Sequence, residues 1–164
     1  MLLSLGSYAQ FCYTPNWTEP SLDSMLIYVS MATLDGTNLQ AGDAIGVFDG
    51  TECVGLGVLT GELTGAPTYL VIETSRDNAG TVQRDGFING NPISFRFCSG
   101  GSVVNPSVSP TYLTNGPNFA INDSCVVELS AVNTAPTVTS IPDTVATEDL
   151  LYSSSITATD IDIG

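Results

Sequence analysis

Histidine and lysine are both missing from the 164 residues, and arginine occurs only three times, at Arg76, Arg84 and Arg96. Without imidazole the chain lacks the commonest general base and the usual nitrogen ligand for zinc, which excludes zinc hydrolysis and a Ser-His-Asp triad. Without lysine there is no amine for Schiff-base chemistry. Three cations face 17 acids, for a formal net charge of −14. A field of that sign repels phosphate backbones and anionic headgroups, so nucleic acid and membrane surfaces are poor partners and divalent cations better ones. Apart from a short run at the start, the chain has no apolar stretch that approaches a bilayer span, and no window carries an amphipathic helical period. Paired carboxylates are the one catalytic device left open, as in glycoside hydrolysis. They would have to be Asp43 or Asp49 with Glu52 or Glu73. No motif surrounds these acids, which suit outward-facing strand and turn positions better, and the chain is read as not an enzyme.

What the sequence does have is strand signal. The run "MLIYVSMATL" at 25–34 is rich in β-formers and ends in the turn Asp35-Gly36. "AGDAIGVFDG" closes on Asp49-Gly50 and leads straight into "ECVGLGVL", which predicts a hairpin. "TYLVIET" at 68–74 is the next strand, followed by a polar, glycine-punctuated loop. In "PISFRF" at 92–97, Ile93, Phe95 and Phe97 alternate with Ser94 and Arg96, and in "CVVELSA" Cys125, Val127, Leu129 and Ala131 alternate with Val126, Glu128 and Ser130. The Ser/Pro/Asn/Gly-rich stretch between them, 99–118, reads as loop. Many short strands joined by turns predict an all-β sandwich over 11–132.

Four cysteines, Cys12, Cys53, Cys98 and Cys125, stand singly, with no C-x-x-C pair to suggest zinc or redox chemistry. Two disulfides are the simplest expectation. Cys98 shares the water-facing parity of Ser94 and Arg96, and Cys53 shares that of Gly55 and Gly57, so strand parity favours Cys53–Cys98 and leaves Cys12–Cys125. The latter would tie the first strand to the last and, by loop entropy, contribute about 4–5 kcal/mol. The opening "MLLSLGSYAQ" carries a small-x-small pattern before Gln10 and is read as the remnant, 1–10, of a secretory signal lacking its basic start, the alternative being an ordinary apolar first strand.

At Asn133 the composition shifts, and no cysteine or base follows. Residues 133–164 are taken as a linker and the truncated start of a second sandwich, broken off at Gly164, since some thirty residues are too few to bury two sheet faces. In this part "NTAP", "ATED", Leu151-Tyr152 and "ITATDIDIG" resemble the cadherin-like and Ig-like repeats of large bacterial surface proteins. The resemblance covers about 30 of the 164 residues. It implies calcium held by Glu148, Asp160 and Asp162 at junctions between repeats. Cadherin linkers are strongly acidic, whereas "SAVNTAP" offers only Asn133. Hard cations take about six to eight oxygens, and the same acids would also suit solvated turns. The larger part, through "GDAIGVFDGTECVGLG" and "DGFINGNPISFRF", resembles a β-sandwich module of secreted bacterial proteins that carry C-terminal sorting tags.

These readings converge on a non-catalytic extracellular module of a large secreted or cell-surface bacterial protein, adhesive, structural or accessory in role. Its expected partners are neighbouring domains of the same chain, a polysaccharide or another surface protein. The alternative is a carbohydrate-binding module of a secreted enzyme. That function needs an exposed aromatic platform, for which Trp17 in "FCYTPNWTEP" is the leading candidate, with Tyr13, Tyr69 and Tyr112 behind it. A lone Trp near a disulfide is more often packed against it.

Overall fold

A computed structural model of the chain describes residues 12–104, 107–134, 137–138 and 157–159. Among these there is no helix, and the fold is all-β and sandwich-like. The first sheet is centred on β1 (Met25–Leu34), which turns through Asp35 and Gly36, both at positive φ, into the short β2 (Thr37–Asn38). β3 (Ala44–Asp49) and β4 (Glu52–Val58) form the expected hairpin across Gly50, whose φ of 64° suits a residue without a Cβ. β5 (Leu70–Thr74) pairs antiparallel with the first half of β1. Then come β6 (Ser94–Ser99), β7 (Ser102–Val104), β8 (Ser109–Thr114) and β9 (Ser124–Ala131). β9 lies parallel to β1, so the first and last long strands are direct neighbours, with Ile27 opposite Cys125 and Leu34 opposite Ala131.

One sheet therefore runs β2-β1-β9-β8 with β5 also on β1, and the other runs β4-β3-β6-β7. They share one core. Ile27, Val29, Ile72, Val127 and Leu129 from the first sheet meet Ile45, Val47, Val54, Phe95 and Phe97 from the second. The period-two expectation holds: Ile93, Phe95 and Phe97 are buried, as are Cys125, Val127, Leu129 and Ala131. Where the sheets' edges meet, glycine is required. A Cβ on Gly57 would stand 2.6 Å from Cγ1 of the fully buried Ile72, and one on Gly55 would stand 2.9 Å from Thr74 Cγ2, so both glycines face the core and admit β5. A register shift opposite Val47/Phe48 sets Cys53 beside Phe48 while Gly55 stands beside Val47, so Cys53 does not share the glycines' face.

The stretch expected to be loop holds two strands, β7 and β8. Both are almost wholly exposed edges, and Pro110 interrupts the pattern of β8, so neither leaves a hydrophobic period to detect.

The disulfide expectation is corrected. The bond joins Cys12 to Cys98, while Cys53 and Cys125 are free and buried. Cys53 pairs with Phe48 and Cys98 with Ala44. They are thus separated by four residues along β3, roughly 13 Å, and by two strand spacings across it, far beyond disulfide reach. Cys125 points into the shared core, whereas Cys98 alternates with the core residue Phe97 and faces the outside of its sheet. The outward parity of Cys98 was legible. Its actual partner is a segment laid over that face.

Beyond β9, the backbone N–H of Asn133 donates to Asp35 Oδ1 at 2.8 Å. A further antiparallel pair, β10 (Thr137–Val138) with β11 (Ala158–Thr159), joins the two parts of the chain that flank the "ATED" stretch.

Candidate functional site

The segment from Cys12 to Trp17 covers the outer face of the second sheet. Cys12 is bonded to Cys98, and the Tyr13 ring meets Phe48 edge-to-face at 5.1 Å and lies over Gly46, where a Cβ would come within 2.8 Å of it. Tyr13 also donates its hydroxyl to Phe97 O at 3.3 Å, and burial pushes its pKa up, partly offset by the nearby Arg96. The Arg96 guanidinium sits 4.1 Å over the Phe48 ring. Asn16 N–H donates to Cys53 O at 2.9 Å, and Trp17 donates its indole N–H to Val54 O at 2.8 Å. Trp17 is therefore half-buried with its polar handle engaged on β4.

The two aspartates of "GDAIGVFDG" stand at opposite ends of β3, and each organises a loop from a buried position. Neither faces outward as expected from the sequence. Asp43 accepts from Gln40 N–H at 2.8 Å and Gly100 N–H at 3.2 Å. Asp49 accepts from Ile88 N–H at 2.9 Å and from the Asn91 amide at 2.9 and 3.1 Å, and it is ion-paired with Arg84. Burial alone would raise its pKa. The Ile88 N–H, the Asn91 amide and the Arg84 guanidinium outweigh that and hold the carboxyl below its ordinary value.

Through Asp49 the long loop 76–91 is fixed to the hairpin. Its two ends are zipped together, Phe87 N–H to Ser75 O and Asp77 N–H to Phe87 O, both 2.8 Å. This approach is so close that a Cβ on Gly86 would lie 2.4 Å from the Arg76 carbonyl carbon. Within the loop, Asp77 Oδ1 accepts from Asp85 N–H at 2.9 Å, and Asp85 Oδ1 accepts from Asn78 N–H at 2.9 Å. Thr81 donates to Asp85 Oδ2 or, at 2.7 Å, to Asn78 O. The Asn78 N–H in particular lowers the pKa of Asp85. The loop also packs by its stacked ring pair, Phe87 on Phe119, with centroids 4.6 Å apart.

Between this loop, the N-terminal segment and the start of β4 lies a cavity of about 560 Å³, lined by Asn16, Glu52, Thr81, Gln83, Arg84 and Asp85. The sequence reading missed it because its walls come from three stretches whose proximity depends on Asp49, a residue weighed earlier only as a turn former or one of a catalytic pair. The available signal was Arg84, one of three cations in the chain, sitting in a polar loop.

Of the residues nominated from sequence, Trp17 stands beside Asn16 but is not among the cavity's lining. Asn133 is exposed. Glu148, Asp160 and Asp162 lie outside the described residues, so the implied calcium set is not brought together here. Among the described residues no cluster of three or more Asp, Glu or Cys could hold a metal ion, and no helix is long and apolar enough to cross a membrane. Comparison with protein-family models, with curated proteins and with solved structures finds no match. Fold and site together define a disulfide-clamped, sandwich-like all-β domain with a polar cavity at one end.

Proposed function

We propose that the chain is a non-catalytic extracellular module of a large secreted or cell-surface bacterial protein, serving adhesion, spacing or an accessory contact. One observation carries the reading. The carboxylates that chemistry would draw on, Asp43 and Asp49, are occupied as loop anchors, each accepting hydrogen bonds from a loop it pins, and Asp49 bears its own counter-ion. The lowered pKa of Asp49 leaves that carboxylate without a proton to donate near neutrality, and the hydrogen bonds hold both side chains on their loops rather than toward a substrate. The Cys12–Cys98 bond supports an oxidising compartment. In this reading residues 11–132 form the module. Residues 133–164 belong to a second, cadherin- or Ig-like unit whose Glu148, Asp160 and Asp162, with Asn133, take calcium at junctions. The β10–β11 pair supports a strand-built unit there.

The experiment is localisation on intact cells of the source organism. Surface labelling without permeabilisation, or recovery from the medium, with Cys12 and Cys98 oxidised, is expected. Recovery from the cytosol alone with both thiols free would overturn the reading.

A further inference from the structure

The cavity beside Arg84 has a composition that narrows its ligand. At about 560 Å³ it lies within the roughly 300–1,000 Å³ of ordinary ligand pockets. All six lining side chains are polar: two amides, a hydroxyl, two carboxylates and a guanidinium. That excludes an apolar ligand, whose burial would desolvate these groups without replacing their hydrogen bonds. Anions are disfavoured as well. The charge of Arg84 is met by Asp49, which leaves Glu52 and Asp85 uncompensated on a chain of net charge −14. A divalent cation would find a guanidinium in the wall, Asp85 engaged by Asn78 N–H and Thr81, and Glu52 engaged by the Asn16 amide. What fits is a neutral molecule dense in hydroxyls, each of which both donates and accepts, facing carboxylates that accept and amides that do both.

The walls are also preorganised. Asn16 is held by its N–H bond to Cys53 O, four residues after the disulfide at Cys12, and Glu52 opens a strand of the hairpin. The loop 81–85 is fixed by Asp49, Asp77 and Asp85. Within this frame the Gln83 side chain is exposed and makes no hydrogen bond among the described residues. It is a free amide on an anchored loop: the backbone beneath it is already ordered, and only the side chain itself is immobilised on binding.

We infer that this cavity is a subsite for a neutral sugar unit of an extracellular polysaccharide, held by hydrogen bonds rather than by stacking on Trp17. The inference rests on the reading of the chain as an extracellular module. Its test is calorimetric titration of the 164-residue protein with cello-, xylo-, manno- and chito-hexaose, and with hexagalacturonate and calcium chloride as charged comparisons. Saturable binding of at least one neutral hexaose is expected, with hexagalacturonate and calcium failing to displace it. Gln83→Ala should weaken binding about tenfold, the equivalent of one or two lost hydrogen bonds, without moving the melting temperature. Tyr69 packs against Tyr28 and is not among the residues lining the cavity, so Tyr69→Ala should bind as the parent does. Absence of binding to all four neutral hexaoses, preference for hexagalacturonate, or loss of binding in Tyr69→Ala but not in Gln83→Ala would each overturn it. Reducing ends assayed in the same mixtures separate the two readings: their release would sink the non-catalytic function, whereas no release and no binding would sink only the sugar subsite.

Discussion

Replacing Asp49 with Ala takes the acceptor from Ile88 N–H and from the Asn91 amide and the counter-ion from Arg84 in one step. Hydrogen bonds to a charged group contribute about 1.5–3 kcal/mol each, and breaking a buried ion pair costs about 3–5 kcal/mol. Both figures need discounting. The Arg84 side chain is 33% exposed and rehydrates, as do the outer groups of the loop. Asp49→Ala should then cost about 3 kcal/mol, which for a domain of this size lowers the melting temperature by about 10–15 °C. Asp49→Asn keeps one acceptor oxygen and should lose about half as much. Acid dependence supplies a second readout. The folded pKa of Asp49 is depressed, so its contribution is fully present above the unfolded value near 4 and is lost as pH falls through the folded value. The Asn variant lacks that loss, and its stability should fall less steeply below about pH 4. Urea melts of the three proteins from pH 2.5 to 7 measure both effects. An Ala variant within about 1 kcal/mol of the parent, or an Asn variant with the parent's acid limb, would refute the claim that Asp49 is the anchor of loop 76–91.

Peptide mapping of the non-reduced protein should return Cys12 linked to Cys98 and unmodified thiols at Cys53 and Cys125. Reduction, which opens a span of 86 residues, should destabilise by up to about 4–5 kcal/mol in equilibrium melts. Gly57→Ala drives a methyl against buried Ile72 and half-buried Leu70 and should cost about 1–3 kcal/mol by thermal melting, where an exposed glycine such as Gly61, with nothing within 4 Å, tolerates alanine. Trp17→Ala should lower the melting temperature, since the indole is half-buried and donates to Val54 O; an unchanged melt would return Trp17 to the surface-platform reading. Calcium titration of the chain should show weak binding, with a dissociation constant on the order of 10⁻⁴ to 10⁻³ M; no binding would reduce Glu148, Asp160 and Asp162 to solvated turns.

The sequence alone determined the strand-built class, the hairpin at Gly50 and the inward residues of β6 and β9, because hydrophobic alternation and turn chemistry are local and survive in one dimension. It also excluded imidazole and lysine chemistry outright, since no fold supplies a side chain the chain does not contain. Edge strands β7 and β8 left no such trace, having only one face against the molecule and little of it buried. Only the tertiary structure decided what lies against what. Parity put Cys98 on the outer face of its sheet, but the choice of Cys12 as partner depended on the N-terminal segment folding across that face. Gly55 and Gly57 looked like outward positions and are inward ones, because the missing Cβ admits a strand of the opposite sheet. Asp49 read as a turn former, yet from its buried position it is the counter-charge of Arg84, 35 positions later, a residue that lines the cavity. Pairing across such a distance is set by packing of the whole domain, and no local pattern encodes it.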